Sequence, residues 1–168
     1  SIEVSPHDPG TAYITLMRYK SMDLQAYIYK TINYGQSWTK LVNGFTDEHT
    51  FVRVVREDPV KKGLLYAGTE TGLYISLNDG QNWQPLQLNL PVVPINDLVI
   101  QDNDLVAATA GRSFWILDDL GVFQQRAEDE NDLRIFKPKD TYLIFGGSSE
   151  KPIPGVGDNP KSGVTFDY

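Results

Sequence analysis

Two acidic residues in loop-like sequence, Glu70 and Asp47, are the side chains best suited to chemistry in this chain. A pair of carboxylates about 5 to 9.5 Å apart can hydrolyse a glycosidic bond, one as acid and the other as nucleophile or base. Loop acids are also commonly just solvated, and the sequence does not set their separation. Arg112 is the strongest binding candidate, because a guanidinium can grip a carboxylate through two parallel hydrogen bonds. The competing reading pairs it with Glu70 or another nearby acid, as a purely structural ion pair. Arg18 and His49 complete the candidate ligand contacts, with Lys20, Asp23 and Glu48 among the neighbouring charged residues.

Other chemistry finds no support. His7 and His49 are isolated and lack metal-ligand spacing such as H-E-x-x-H, so no metal is expected. With no cysteine, thiolate sites, Cys nucleophiles and disulfides are excluded. Gly155-Val156-Gly157 lacks the third glycine of a dinucleotide loop, no G-x-S-x-G elbow is present, and no cofactor is expected. Asp118-Asp119 fits turn capping better than cation binding. The acidic stretch from Glu128 to Asp132 reads as a solvated loop.

These loops need elements to hold them, and an internal repeat supplies the pattern. Thr31-Ile32-Asn33-Tyr34-Gly35-Gln36-Ser37-Trp38 recurs 45 residues later as Ser76-Leu77-Asn78-Asp79-Gly80-Gln81-Asn82-Trp83. A degraded third copy, Ile116 to Phe123, aligns Asp118 with Asn78 and Phe123 with Trp83, its glycine displaced by one. Each octet reads as strand end, tight turn and strand start. The Asn or Asp side chain accepts from turn amides, glycine takes positive φ, and the aromatic anchors the hairpin.

Around the octets, β-branched and aromatic runs predict four strands per unit. In the first unit they cover 2–5, 11–16, 26–31 and 37–41, and in the second 51–55, 64–68, 73–76 and 82–86. The third has 97–100, 105–109, 113–117 and a weak fourth near 122–124. Helices should be short or absent, since no apolar 3.6 period persists. Successive apolar residues such as Phe114-Trp115-Ile116-Leu117 suit sheets covered on both faces. A β-sandwich is the competing architecture.

The octets resemble the Asp box, S/T-x-D-x-G-x-S/T-W, of β-propellers, with Asn33 and Asn78 at the usual Asp position. Asp118 takes that position in the third copy, and Gly35, Trp38, Gly80 and Trp83 fill the other structural positions. The segments 51–59, 65–74 and 108–119 resemble the last blades of bacterial BNR-repeat or sortilin-like glycosyl hydrolase-type proteins. A histidine commonly stands in that family where this chain has Ala110, so its role is absent here.

The resemblance implies an all-β partial propeller of about three four-stranded antiparallel blades, near 1–45, 46–90 and 91–126. Residues 127–168 would form a loop-rich linker or the start of a following domain, with strands at 133–136 and 141–145. The end, 163–168, resembles the first strand of a β-sandwich. Because Ser1 opens directly in strand-like sequence, the chain is expected to be a piece of a longer protein.

In a propeller the octet turns and the first-to-second strand turns share one rim, and ligands usually meet the other. That places the candidates on loops 18–25, 69–72 and 110–112 and on the connections 46–50 and 87–94. The expected function is a non-catalytic scaffold that recognises a peptide or glycan through this rim. The alternative is part of a secreted glycoside hydrolase, sialidase- or xyloglucanase-like, with its catalytic site mostly on missing blades and the piece alone inactive. The six arginines lack the spacing of a sialidase triad.

The formal charge of -7 disfavours nucleic acid. No apolar run is long enough to span a bilayer. The parent protein is expected outside the cytoplasm, and open blade faces are expected to meet missing blades or a second copy.

Overall fold

The computed structural model describes residues 1–45, 50–126, 135–141 and 164. Among these residues three antiparallel sheets follow one another along the chain. The first contains β1 (Ile2–Val4), β2 (Ala12–Thr15), β3 (Ile28–Thr31) and β4 (Thr39–Lys40), paired in that order. The second contains β5 (Val52–Glu57), β6 (Leu65–Thr69), β7 (Leu73–Ser76) and β8 (Gln84–Pro85). The third contains β9 (Ile95–Gln101), β10 (Asp104–Thr109) and β11 (Phe114–Leu117).

The weak fourth strand expected near 122–124 does not form; that stretch is a short helix, α1 (Gly121–Gln125). Of the expected strand at 133–136, residues 135 and 136 are irregular and the rest lies outside the described residues, as do nearly all of 141–145 and 163–168.

The sheets stack face to face, so the middle one is apolar on both sides. Leu65 and Ala67 of β6 pack toward the first sheet, whereas Tyr66 packs toward the third; all three are fully buried. Strand alternation thus turns a continuous apolar run into two core surfaces. Each sheet has a leading face toward the preceding sheet and a trailing face toward the next. The first seam joins Tyr13, Ala26 and Ile28 to Val52, Val55, Leu65, Ala67 and Trp83. The second joins Val54, Tyr66, Leu73 and Ile75 to Leu98, Leu105 and Ala107.

The octet turns of the first two sheets share the same side-chain acceptors. Asn33 Oδ1 accepts from Ser37 N, and Asn78 Oδ1 from Asn82 N, both at 2.9 Å. The Thr31 and Ser76 hydroxyl oxygens accept from Gly35 N and Gly80 N, again both at 2.9 Å. The central residues have positive φ, 56° and 82° at Tyr34 and Gly35, 58° and 81° at Asp79 and Gly80, as a type I′ hairpin requires. Each octet is also tied to the first turn of its own sheet. Tyr34 N donates to Gly10 O at 3.0 Å, and Asp79 N to Gly63 O at 2.8 Å.

The third copy is aligned differently from the sequence expectation. Leu120 N makes the equivalent bond, to Asn103 O at 2.8 Å. Leu105 pairs with Leu117 as Leu65 pairs with Ser76, and both Leu105 and Leu65 lie on leading faces. The octet therefore begins at Leu117, which puts Asp119 and Gly121 at the Asn78 and Gly80 positions, 41 residues on. Asp118 is not the turn acceptor. Asp119 Oδ1 accepts from Gly121 N and from Asn103 Nδ2, each at 3.0 Å. Gln124, not Phe123, occupies the tryptophan position. Leu120 has φ -74° and ψ 0° where the other copies have positive φ, so the chain turns into α1 rather than into a hairpin.

Trp38 and Trp83 also differ. Trp83 is 1% exposed, and its indole donates to Leu41 O at 3.2 Å while its amide donates to Asn43 O at 2.8 Å, both on the chain leaving the first sheet. Trp38 is 41% exposed and donates to Gly35 O within its own turn. The second tryptophan is thus a clasp onto the preceding sheet, a contact that the first has no partner for among the described residues.

Candidate functional site

The first strands of the sheets are neighbours, β5 lying against both β1 and β9, and β5 carries the groups that organise this face. Val52 and Val55 both pack toward the first sheet although three residues apart, a spacing that strict alternation would put on opposite faces. A bulge between Val52 and Val54 absorbs the extra residue at Arg53. This brings Arg53 and Arg56 to bear on the same neighbour, the third sheet.

Arg56 reaches both flanking sheets. It donates to Asp97 Oδ1 at 2.6 Å, to Leu98 O at 2.8 Å and to Glu3 Oε2 at 3.4 Å. These groups adjoin an open cleft of roughly 290 Å³ whose walls include Val4, Pro6, Pro59 and Val99. Burial pushes the Glu3 carboxyl above its ordinary value, and the Arg56 charge opposes that shift. Nearer the opposite rim, Arg53 donates to Glu70 Oε2 through Nε at 2.8 Å and Nη2 at 2.5 Å, and to Asn96 at 3.4 Å.

Glu70 is therefore paired with Arg53 of its own sheet, not with Arg112 as the structural alternative expected. The bond from Glu70 N to Phe51 O fixes its backbone. Arg112 sits in the turn between β10 and β11, where its amide donates to Thr109 Oγ1 at 3.1 Å and its carbonyl accepts from Trp115 Nε1 at 3.0 Å. The residue is exposed, and its guanidinium makes no hydrogen bond or ion pair among the described residues. Trp115 and the turn bonds thus hold its backbone while leaving its charge available.

Arg18 is engaged within its own loop. It pairs with Asp23 at 3.0 Å and lies over the Tyr27 ring at 5.8 Å. The Tyr27 hydroxyl donates to Asp23 at 2.8 Å, which with the amide of Gln25 and Arg18 holds that carboxyl below its ordinary value. Exposed Leu16, Met17, Tyr19 and Met22 lie in or beside the same loop, and Tyr19 stacks on buried Phe51 at 5.7 Å. Asp47 and His49 lie outside the described residues, as does Glu48.

The sequence reading missed Arg53, Arg56, Glu3 and Asp97. Each stands in a strand where it looks like an ordinary solvent-facing residue. The available signal was two arginines in one first strand, V-R-V-V-R-E, whose apolar spacing breaks alternation. Among the described residues no cluster of three His, Asp or Glu side chains could hold a metal ion, and no helix is long and apolar enough to cross a membrane.

Antiparallel sheets that stack face to face, with their first strands in contact, define the chain as part of a β-propeller. Solved structures of that class resemble it. An ancestral GH74 enzyme shares 21% identity at a TM-score of 0.54, covering 67% of this chain and 13% of that one. The GH74 xyloglucanase of Xanthomonas campestris shares 15% at 0.53, covering 68% and 20%. The GH74 enzyme of Niastella koreensis shares 14% at 0.56, covering 71% and 21%. Likeness at these identities defines the fold alone, and the chain spans about a fifth or less of each of those proteins. No family model and no curated protein matches the sequence.

Proposed function

We propose that this chain is a recognition segment of an extracellular or periplasmic propeller, which binds a peptide or glycan through the rim carrying Arg112 and performs no catalysis itself. The observation that supports it is the pairing of carboxylates with arginine. Glu3 and Asp97 bond to Arg56, Glu70 to Arg53, and Asp23 to Arg18. An acid whose oxygens are already taken up by a guanidinium within the fold serves as a structural tie and is not presented to a substrate. Arg112 is the contrasting case, a rim cation with its donors unused among the described residues.

Arrays of peptides and of acidic and neutral glycans, probed with this chain and with Arg112→Ala, test the reading. Binding by the parent chain, weakened tenfold or more in Arg112→Ala at unchanged thermal stability, is the expected result. Hydrolysis of aryl glycosides or xyloglucan that disappears in Glu70→Gln would replace it with the hydrolase reading.

A further inference from the structure

The chain leaving the first sheet turns back at 42–45, where Phe45 N donates to Val42 O at 3.4 Å, and this turn sets Asn43 directly before Gly44. An asparagine carboxamide followed by glycine can cyclise, because glycine has no Cβ to screen its amide nitrogen from the side-chain carbon and reaches backbone angles closed to other residues. The fold does not block that reaction here. Asn43 is exposed, and its Nδ2 is held only by donation to Gln81 O at 3.3 Å and Asn82 Oδ1 at 3.2 Å. Gly44 N makes no hydrogen bond among the described residues. A second pair of the same reactive type, Asp79-Gly80, shows the protected case. Gly80 N donates to Ser76 Oγ at 2.9 Å, Tyr13 Oη donates to Asp79 Oδ1 at 2.7 Å, and Lys30 Nζ occupies Asp79 Oδ2.

We propose that Asn43-Gly44 is a site of spontaneous deamidation, and that its product loosens the clasp by which Trp83 holds the second sheet to the first. Gly44 N attacks Asn43 Cγ, the Cγ–Nδ2 bond breaks, and Nδ2 leaves as ammonia with the proton that Gly44 N gives up. Water then opens the succinimide, at Cγ to give aspartate or at the Asn43 main-chain carbonyl to give isoaspartate. Either product disturbs the clasp. Aspartate replaces the donors facing Gln81 O and Asn82 Oδ1 with a carboxylate and adds a negative charge to the formal -7. Isoaspartate routes the backbone through Cγ, lengthens it by a methylene, and moves the Asn43 O that accepts from Trp83 N at 2.8 Å onto a side branch. The contact has no slack to absorb that change, since even a Cβ on Gly44 would lie 2.0 Å from Trp83 O.

Ageing the whole folded chain at mildly alkaline pH tests this, with Asn43→Gln as a variant that would need a slower-forming, larger ring. Tryptic cleavage after Lys40 and Arg53 isolates Asn43 as the sole asparagine of its peptide. Aspartate and isoaspartate are expected to accumulate in that peptide within tenfold of the rate in the urea-unfolded chain, and at least tenfold faster than isoaspartate appears at Asp79-Gly80. The deamidated chain exchanges its Trp83 amide hydrogen at least tenfold faster than fresh chain and unfolds at lower urea, whereas aged Asn43→Gln matches its own fresh sample. An unaltered peptide from the folded chain beside a reacted one from the unfolded chain overturns the proposal, because the fold then shields the pair. So does deamidation that leaves Trp83 exchange unchanged, which separates the site from the clasp.

Discussion

Replacing each octet tryptophan with alanine gives a sharp test of how the sheets are held together, because sequence makes Trp38 and Trp83 equivalent and structure does not. Trp83 is 1% exposed and Trp38 41% exposed, a difference of about 100 Å² for a side chain of this size, or roughly 2.5 kcal/mol at ~25 cal/mol per Å². Trp83→Ala also leaves Leu41 O without its indole donor, adding about 1 kcal/mol. Large-to-small substitutions of buried aromatics cost about 3 to 5 kcal/mol, so Trp83→Ala should fall in that range. Trp38→Ala should cost about 2.5 kcal/mol less, roughly 1 kcal/mol. Urea unfolding at concentrations where the chain is monomeric reads both. At a slope of roughly 2 kcal/mol/M, the midpoints fall by about 2 M and 0.5 M. Equal losses would refute the reasoning, since they would mean that each tryptophan acts only within its own turn.

Three further outcomes follow from the same contacts. Gly44 has φ 100° and a Cβ there would lie 2.0 Å from Trp83 O, so Gly44→Ala should destabilise by about 3 kcal/mol or more, measured by thermal unfolding. Asn78→Ala should cost about 1 to 2 kcal/mol, since it strips the acceptor from Asn82 N and Ser76 Oγ, whereas Asn78→Asp keeps that acceptor and should cost less in the same assay. Glu3 has a raised folded-state pKa, so it binds its proton more tightly folded than unfolded. Its contribution favours folding below the unfolded value near 4.5 and declines as pH rises through the folded value. Denaturation profiles of Glu3→Gln against the parent chain should therefore differ in slope from pH 4.5 upward, and superimposable slopes would reject that assignment.

The sheet order and the first two hairpins were legible because Asn33, Gly35, Asn78 and Gly80 encode a turn locally, through side-chain acceptors and positive φ. The third octet misled because Asp118 and Asp119 are adjacent acceptors. Choosing between them needs the Leu105 to Leu117 register, which is a long-range property. The fate of Trp38 was hidden for a similar reason, since burial depends on which sheet stands beside it. Glu70 was recognised as a rim residue, but its partner was not, because the bulge that redirects Arg53 has no proline or glycine to mark it. Asp47 and His49 lie outside the described residues.

Arg56 has a consequence for how the chain comes apart. Stacked sheets that touch only their neighbours behave as a linear array, in which an end unit can detach while the rest persists. One guanidinium bonded to β1 on one side and β9 on the other gives the two end sheets a common fastening. Loss of either end sheet takes away one of the two carboxylates that pair with Arg56, so each end sheet is tied to the middle one through a charge that the other end sheet also shares.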